Sequence, residues 1–164
     1  MDIRGNKTFK WVDSIAEAAD MINLPHEDYP MRISATHLAI EQEEFSIECK
    51  DLLKNHKKVF ENIPHSGKFR KVNVQVGSHV APEYSQVPAL MKELYDVHNP
   101  LLYFTGTRYP AQTRPYYEEI LIDWYTDFET IHPFQDGNGR VGGIVVAQYS
   151  HLWFPEKGWM ASQQ

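Results

Sequence analysis

The stretch His132-Pro133-Phe134-Gln135-Asp136-Gly137-Asn138-Gly139-Arg140 decides how the rest of the chain is read. It brings a titratable base, a carboxylate, two glycines, an amide and a guanidinium into one short run. Upstream, Ile120, Leu121, Trp124, Phe128 and Ile131 recur at spacings of three and four, so Tyr116 to Ile131 reads as an amphipathic helix. Downstream, Arg140 to Trp153 reads as a second, mostly buried helix. The run is therefore a tight inter-helix loop, with Gly137-Asn138-Gly139 at the start of the second helix. Free backbone N–H groups and the positive end of the helix dipole converge there, which suits an anion such as phosphate.

Each side chain has a chemistry that fits this place. Asp136 is a hard oxygen ligand beside the anion site, suited to Mg²⁺, which takes one or two carboxylates together with phosphate oxygens. Arg140 offers planar, multidentate contacts to phosphate. His132 is the group able to accept a proton near neutral pH. A base, a metal carboxylate and a phosphate nest together indicate transfer of a phosphate-containing group to a hydroxyl. The plainer reading, a glycine-rich turn with a capping Asn and a buried His, serves for any one residue but not for all of them in register.

The run resembles the signature of the Fic-domain family, H-x-F-x-[DE]-G-N-G-R-x-x-R, and meets every specified position but the last. The resemblance implies a mainly α fold, a helical bundle with a short β-hairpin flap. It also implies transfer of AMP from ATP, or of another phosphate-containing group from a nucleotide, to a Ser, Thr or Tyr hydroxyl of a target protein. His132 would be the general base and Asp136 the Mg²⁺ ligand. Gly137, Asn138, Gly139 and Arg140 would cradle the nucleotide phosphates, with Phe134 in the same set as the loop's anchor. Gly143 stands where the family has a second Arg that grips the ATP γ-phosphate.

At 164 residues, the chain suits a single domain with its own core. Its Fic-like core is expected at about residues 34–153, behind an N-terminal extension over 1–33. A hydrophobic content of 42% with 13% aromatics argues for a globular fold, and a net charge of −6 argues against nonspecific binding to nucleic acid or anionic membranes. The single cysteine, Cys49, excludes an internal disulfide framework and reads as a packing or surface thiol. No signal peptide or long apolar run is present. A cytoplasmic protein is the expectation, with delivery to another cell and assembly with copies of itself left open.

Met1 to Trp11 reads as a loosely held leader, and Asp13 to Ile22 as a short capped helix. Leu24 to Pro30 is a proline-bounded loop. Ser34 to Phe45 reads as a helix, and within it Leu38-Ala39-Ile40-Glu41 resembles the core of the family's inhibitory motif. That resemblance makes Glu41 a regulatory candidate, although its implied partner, the second Arg, is replaced by Gly143. An acidic solvated helix face is the alternative. Cys49 to Ile63 is predicted helical. Gly67 to Gly77 then alternates with period two, Val72, Val74 and Val76 against Asn73 and Gln75, the clear strand or hairpin signal of the chain. By resemblance this is the flap that holds the target by main-chain pairing. Val87 to Val97 is a predicted helix, Pro100 to Ala111 is irregular, and His98 and His151 have no partner at ligand spacing.

Two other readings use the same residues. One is the reverse chemistry, removal of AMP from a target by hydrolysis with Glu41 positioning the water, which needs no γ-phosphate grip. The other is a degenerate Fic domain that binds nucleotide or protein without catalysis; a retained base and metal carboxylate speak against it.

Overall fold

In a computed structural model the described residues are 8–23, 33–42, 44–102 and 108–162. They form β1 (Lys10–Val12), α1 (Ile15–Asn23), α2 (Ile33–Ile40), α3 (Cys49–Val59), β2 (Gln75–Val76), β3 (His79–Val80), α4 (Val87–Leu102), α5 (Arg114–Ile131), α6 (Asn138–Trp153) and β4 (Trp159–Ala161). The fold is mainly helical, as predicted. Helix α6 is buried along nearly its whole length, so the other helices are arranged about it. On one side α5 and α6 enclose Trp124, Phe128, Phe134, Val145 and Trp153. On the other, Ile144 and Ala147 of α6 meet Ala18 and Ile22 of α1, Ile40 of α2 and Phe60. The α5–α6 contact depends on Gly142, where a Cβ would stand 2.9 Å from Tyr125 Cε2 and 3.2 Å from Phe128 Cδ1.

Several boundaries differ from the pattern-based expectation. Part of the predicted leader is a strand: β1 pairs antiparallel with β4, Trp11 opposite Met160. Trp11 Nε1 also donates to Glu118 on α5 at 2.9 Å, so this segment is pinned at both faces. Helix α1 is capped by Ser14, whose Oγ accepts the Glu17 N–H at 3.1 Å. Helix α2 stops at Ile40, short of Phe45, because the Ala39 carbonyl is taken by the side-chain amides of Gln42 and Gln148. Helix α3 ends at Val59, short of Ile63. Helix α4 runs past Val97 and keeps Pro100 in its last turn, where the missing N–H removes a single ladder bond. The predicted Leu24–Pro30 loop lies outside the described residues.

The strand or hairpin expected over residues 67–77 is present as a short hairpin that starts later and ends beyond Gly77. Only Gln75–Val76 pairs, antiparallel with His79–Val80, across a tight turn in which Gly77 has φ +59°. Residues 67–74 are irregular. Within this segment the Val72 carbonyl accepts from the Arg70 side chain, which also reaches across to Pro82, Ile131 and His132.

Candidate functional site

Helix α5 ends at His132, which has left-handed backbone (φ 52°, ψ 62°) and donates its N–H to the Phe128 carbonyl at 3.0 Å. Proline at 133 disfavours continuation in the α region, and a non-glycine residue at positive φ costs about 1–2 kcal/mol. Strain of this kind persists only where the surroundings impose it. Here they do. Asn138 Oδ1 accepts the Phe134 N–H and its Nδ2 donates to the Phe134 carbonyl, both at 2.8 Å, closing the loop on itself. Phe134 is fully buried and stacked on His56, with ring centroids 4.0 Å apart and planes at 14°.

His56, on the apolar face of α3, is one of two loop-holding residues the sequence reading missed. Its Nε2 donates to the Asp136 carbonyl at 2.8 Å while Nδ1 accepts the Gly67 N–H at 2.9 Å. Both ring nitrogens are thereby assigned in the neutral form. Burial lowers its pKa to about 4, with His65 adding to the shift and the Asp136 carbonyl and charge opposing it. Arg70 is the second. Buried, it donates Nε to the His132 carbonyl at 2.6 Å and Nη2 to those of Ile131 and Pro82 at 3.2 and 2.5 Å. Nη1 donates to the Val72 carbonyl at 2.9 Å. One guanidinium thus ties the catalytic-loop candidate to the hairpin segment. In sequence, Arg70 sits among Lys68 and Lys71 and reads as a solvated charge; His56 was findable, since it falls in line with Leu52, Val59 and Phe60.

The candidate residues of the loop do come together. Gly137 begins α6 at φ +88°, and a Cβ there would stand 2.2 Å from Phe60 Cε2, so only glycine fits. No side chain caps α6, and the first N–H groups of a helix have no partner within the helix itself. The Asn138 side chain is committed to the loop, so its share in any phosphate cradle is its backbone. Arg140 is buried, its Cζ 5.1 Å from the Phe60 ring centroid, and burial pulls its pKa down to about 10. It still carries its charge at neutral pH, close under the helix start.

His132 is neutral at physiological pH. Burial is the main cause of a pKa near 4, and the charges of Arg70 and His79 add to it. The Glu129 carbonyl and the Asp136 carboxylate act in the opposite direction, the former without a hydrogen bond of ordinary geometry to Nδ1. The Asp136 side chain is 50% exposed, with His65 Nε2 3.5 Å from Oδ2. Among the described residues no group of three or more His, Cys, Asp or Glu forms a protein-only metal site. A single half-exposed carboxylate beside an uncapped helix start does fit Mg²⁺ bound partly through phosphate oxygens.

The flap candidates flank this loop. Val72 is exposed, the Val74 carbonyl accepts the Ala81 N–H at 3.2 Å, and Val76 lies in β2. His79 of β3 donates to the Thr130 carbonyl at 2.9 Å, fastening the hairpin over the end of α5. Glu41 is elsewhere. It pairs with His37 at 3.1 Å and lines a cavity with Gln148 and His151, on the last turns of α6. With a rise of about 1.5 Å per residue, Gln148 is roughly 12 Å along the axis from Arg140. Gly143 is buried within α6. Cys49 is half-buried with its thiol pKa raised mainly by burial, in keeping with a packing role. His98 is buried against Asp127 at 2.8 Å, and His151 stacks on Trp159.

Among the described residues no helix is long and apolar enough to cross a membrane. The chain is similar to the protein adenylyltransferases Fic of Drosophila willistoni, 29% identical over 106 residues, and Culex quinquefasciatus, 31% identical over 104. These alignments take in 63% and 61% of this chain but only 20% and 19% of the relatives, so the chain spans about a fifth of their length. Among solved structures, a Fic family protein from Desulfovibrio desulfuricans superposes on 85% of this chain and 43% of its own, with a TM-score of 0.59 and 25% identity. A Fic-domain-containing signaling protein from Bacteroides thetaiotaomicron shares the fold over 72% of this chain and 46% of its own, at a TM-score of 0.53 and 16% identity. The Fic/DOC family model matches residues 46–150, from the start of α3 to the last turn of α6. With that match over most of its length, and with the His132–Arg140 loop held between α5 and α6, this chain belongs to the Fic/DOC family.

Proposed function

We propose that this chain is a Fic-type transferase that moves AMP, or another nucleoside monophosphate, from a nucleotide onto a Ser, Thr or Tyr hydroxyl of a target protein. The observation that carries the reading is the uncapped start of α6 at Gly137, with the half-exposed Asp136 carboxylate beside it and His132 near enough for the Asp136 charge to act on its ring. Backbone amides at 138–140 and the Arg140 charge would hold the α-phosphate and stabilise the charge that builds on it. Asp136 would hold Mg²⁺, which when bound neutralises phosphate charge. His132, neutral above about pH 4, has a lone pair for the incoming hydroxyl proton. Nδ1 is buried, so Nε2 would be the nitrogen that meets that hydroxyl. The hairpin around Val74 and Val76 would present the target segment by main-chain pairing. With glycine at 143, no side chain there distinguishes ATP from ADP, and the two should bind alike. The position of Glu41 lends no support to hydrolysis of AMP by that residue.

The test is incubation of the protein with each α-labelled nucleoside triphosphate, Mg²⁺ and host lysate. A labelled protein band is expected, reduced about 10²–10⁴-fold by His132→Ala, with nucleotide affinity nearly intact. Asp136→Ala should weaken nucleotide binding in Mg²⁺ but not in chelator. Labelling unchanged within a few-fold in His132→Ala would remove the imidazole from the mechanism.

A further inference from the structure

A cavity of about 520 Å³ lies between α1, α2, the last turns of α6 and β4, on the opposite end of α6 from the His132 loop. Its volume falls within the roughly 300–1,000 Å³ typical of small-molecule sites. Ile15, Ile40, Phe45, Leu152 and Trp159 form its apolar walls. Trp159 is held flat against His151, ring centroids 3.9 Å apart and planes at 9°, so the aromatic wall is rigid.

Each polar group on this cavity carries acceptor capacity. Gln148 Nε2 donates to the Ala39 carbonyl at 2.8 Å, which turns Oε1 the other way. Gln148 is 3% exposed, and Oε1 has no hydrogen-bond partner among the described residues. Gln42 Nε2 donates to the Ala39 carbonyl and to Asn55 Oδ1, at 3.1 and 2.9 Å, leaving its own carbonyl oxygen. His151 Nδ1 donates to the Gly158 carbonyl at 2.8 Å, so in the neutral ring Nε2 is an acceptor. Glu41 adds a carboxylate whose Oε1 faces His37, leaving Oε2. A buried amide oxygen without a donor is destabilising, and native structures leave few such groups.

From this we infer a second ligand site, which takes a small organic cation with a flat or apolar body, such as an arylalkylammonium. Its N–H donors would satisfy Gln148 Oε1 and Glu41, and its body would lie against Phe45 and Trp159. An anion would be repelled by the Glu41 carboxylate and would leave Gln148 Oε1 without a donor. The inference is independent of the transferase reading, since no residue of the His132 loop lines this cavity.

The test titrates the whole protein with 2-phenylethylammonium, 3-phenylpropionate and 2-phenylethanol at neutral pH, followed by amide NMR. The ammonium should bind at millimolar concentration or tighter, with shifts gathered at Gln42, Gln148 and Trp159, and with the carboxylate at least about tenfold weaker. Glu41→Gln, a change at a half-exposed position that keeps an acceptor and removes the charge, should weaken the ammonium about two- to fivefold, as loss of one solvent-exposed ion pair does. Gln148→Met should weaken it further. No binding up to about 10 mM, equal binding of the three probes, shifts at residues 132–140 instead, or an unchanged affinity in Glu41→Gln would each overturn the assignment.

Discussion

Adding one methyl group at Gly137 should do more damage than its size suggests. At φ +88°, alanine must take a conformation that costs an L-residue about 1–2 kcal/mol. Its Cβ would then stand 2.2 Å from Phe60 Cε2 and 2.5 Å from Cζ, where carbon–carbon contacts settle near 3.5–4 Å. The ring must therefore retreat by more than about 1 Å. It has nowhere open to go: Phe60 is 1% exposed, beside His56 and beneath the Arg140 guanidinium. Overpacking of this kind costs about 1–3 kcal/mol, so Gly137→Ala should lose about 2–5 kcal/mol in total. The two parts can be separated. Phe60→Leu removes the atoms that clash most, Cε2 and Cζ, and in that background Gly137→Ala should cost only the conformational part, about 1–2 kcal/mol. Urea unfolding of the wild type, the two single variants and the double variant measures the coupling, expected at about 1–3 kcal/mol. Additive losses, or a wild-type-background loss under about 0.5 kcal/mol, would refute the close approach of the loop to Phe60.

Arg70→Met should destabilise the chain by at least about 2 kcal/mol, because the carbonyls of Val72, Pro82, Ile131 and His132 lose their shared donor. Hydrogen exchange should show the 72–82 segment losing protection first, and Arg70→Lys should rescue only part, having no fork to reach carbonyls on both sides. A second expectation concerns pH. His56 and His132 have folded-state pKa values near 4, below the free value of about 6.5. Above about 6.5 neither state binds these protons and stability is insensitive to them. As pH falls from there, the unfolded chain takes up protons that the folded chain refuses, so stability drops until the folded groups titrate near 4. For the fully buried His56 the slope should approach about 1.4 kcal/mol per pH unit, and His56→Gln should flatten it. Urea midpoints at pH 7 and pH 5 that match in the wild type would contradict this.

What the amino-acid sequence determined by itself was local. The periodic apolar spacing of α5 and the His132–Arg140 run announce two helices joined by a tight turn, because every residue concerned lies within a few positions of its partners. The boundaries slipped where a distant group intervened. Alternation at Val72, Val74 and Val76 signalled a strand or hairpin, and a short hairpin forms. Its backbone, however, is placed by Arg70, which bonds the Val72 carbonyl and the carbonyls of residues 131 and 132 far along the chain. Gln148, more than a hundred residues from Ala39, helps end α2. The pairing of Lys10–Val12 with Trp159–Ala161 joins the two ends of the described chain, and three residues at each end carry too little alternation to mark a strand. Only the tertiary structure decided that His56 and Arg70 set the loop that carries His132, and that Glu41 sits at the far end of α6 from it. Contacts of this kind join residues far apart in the chain, and their energy comes from burial that no short window of sequence contains.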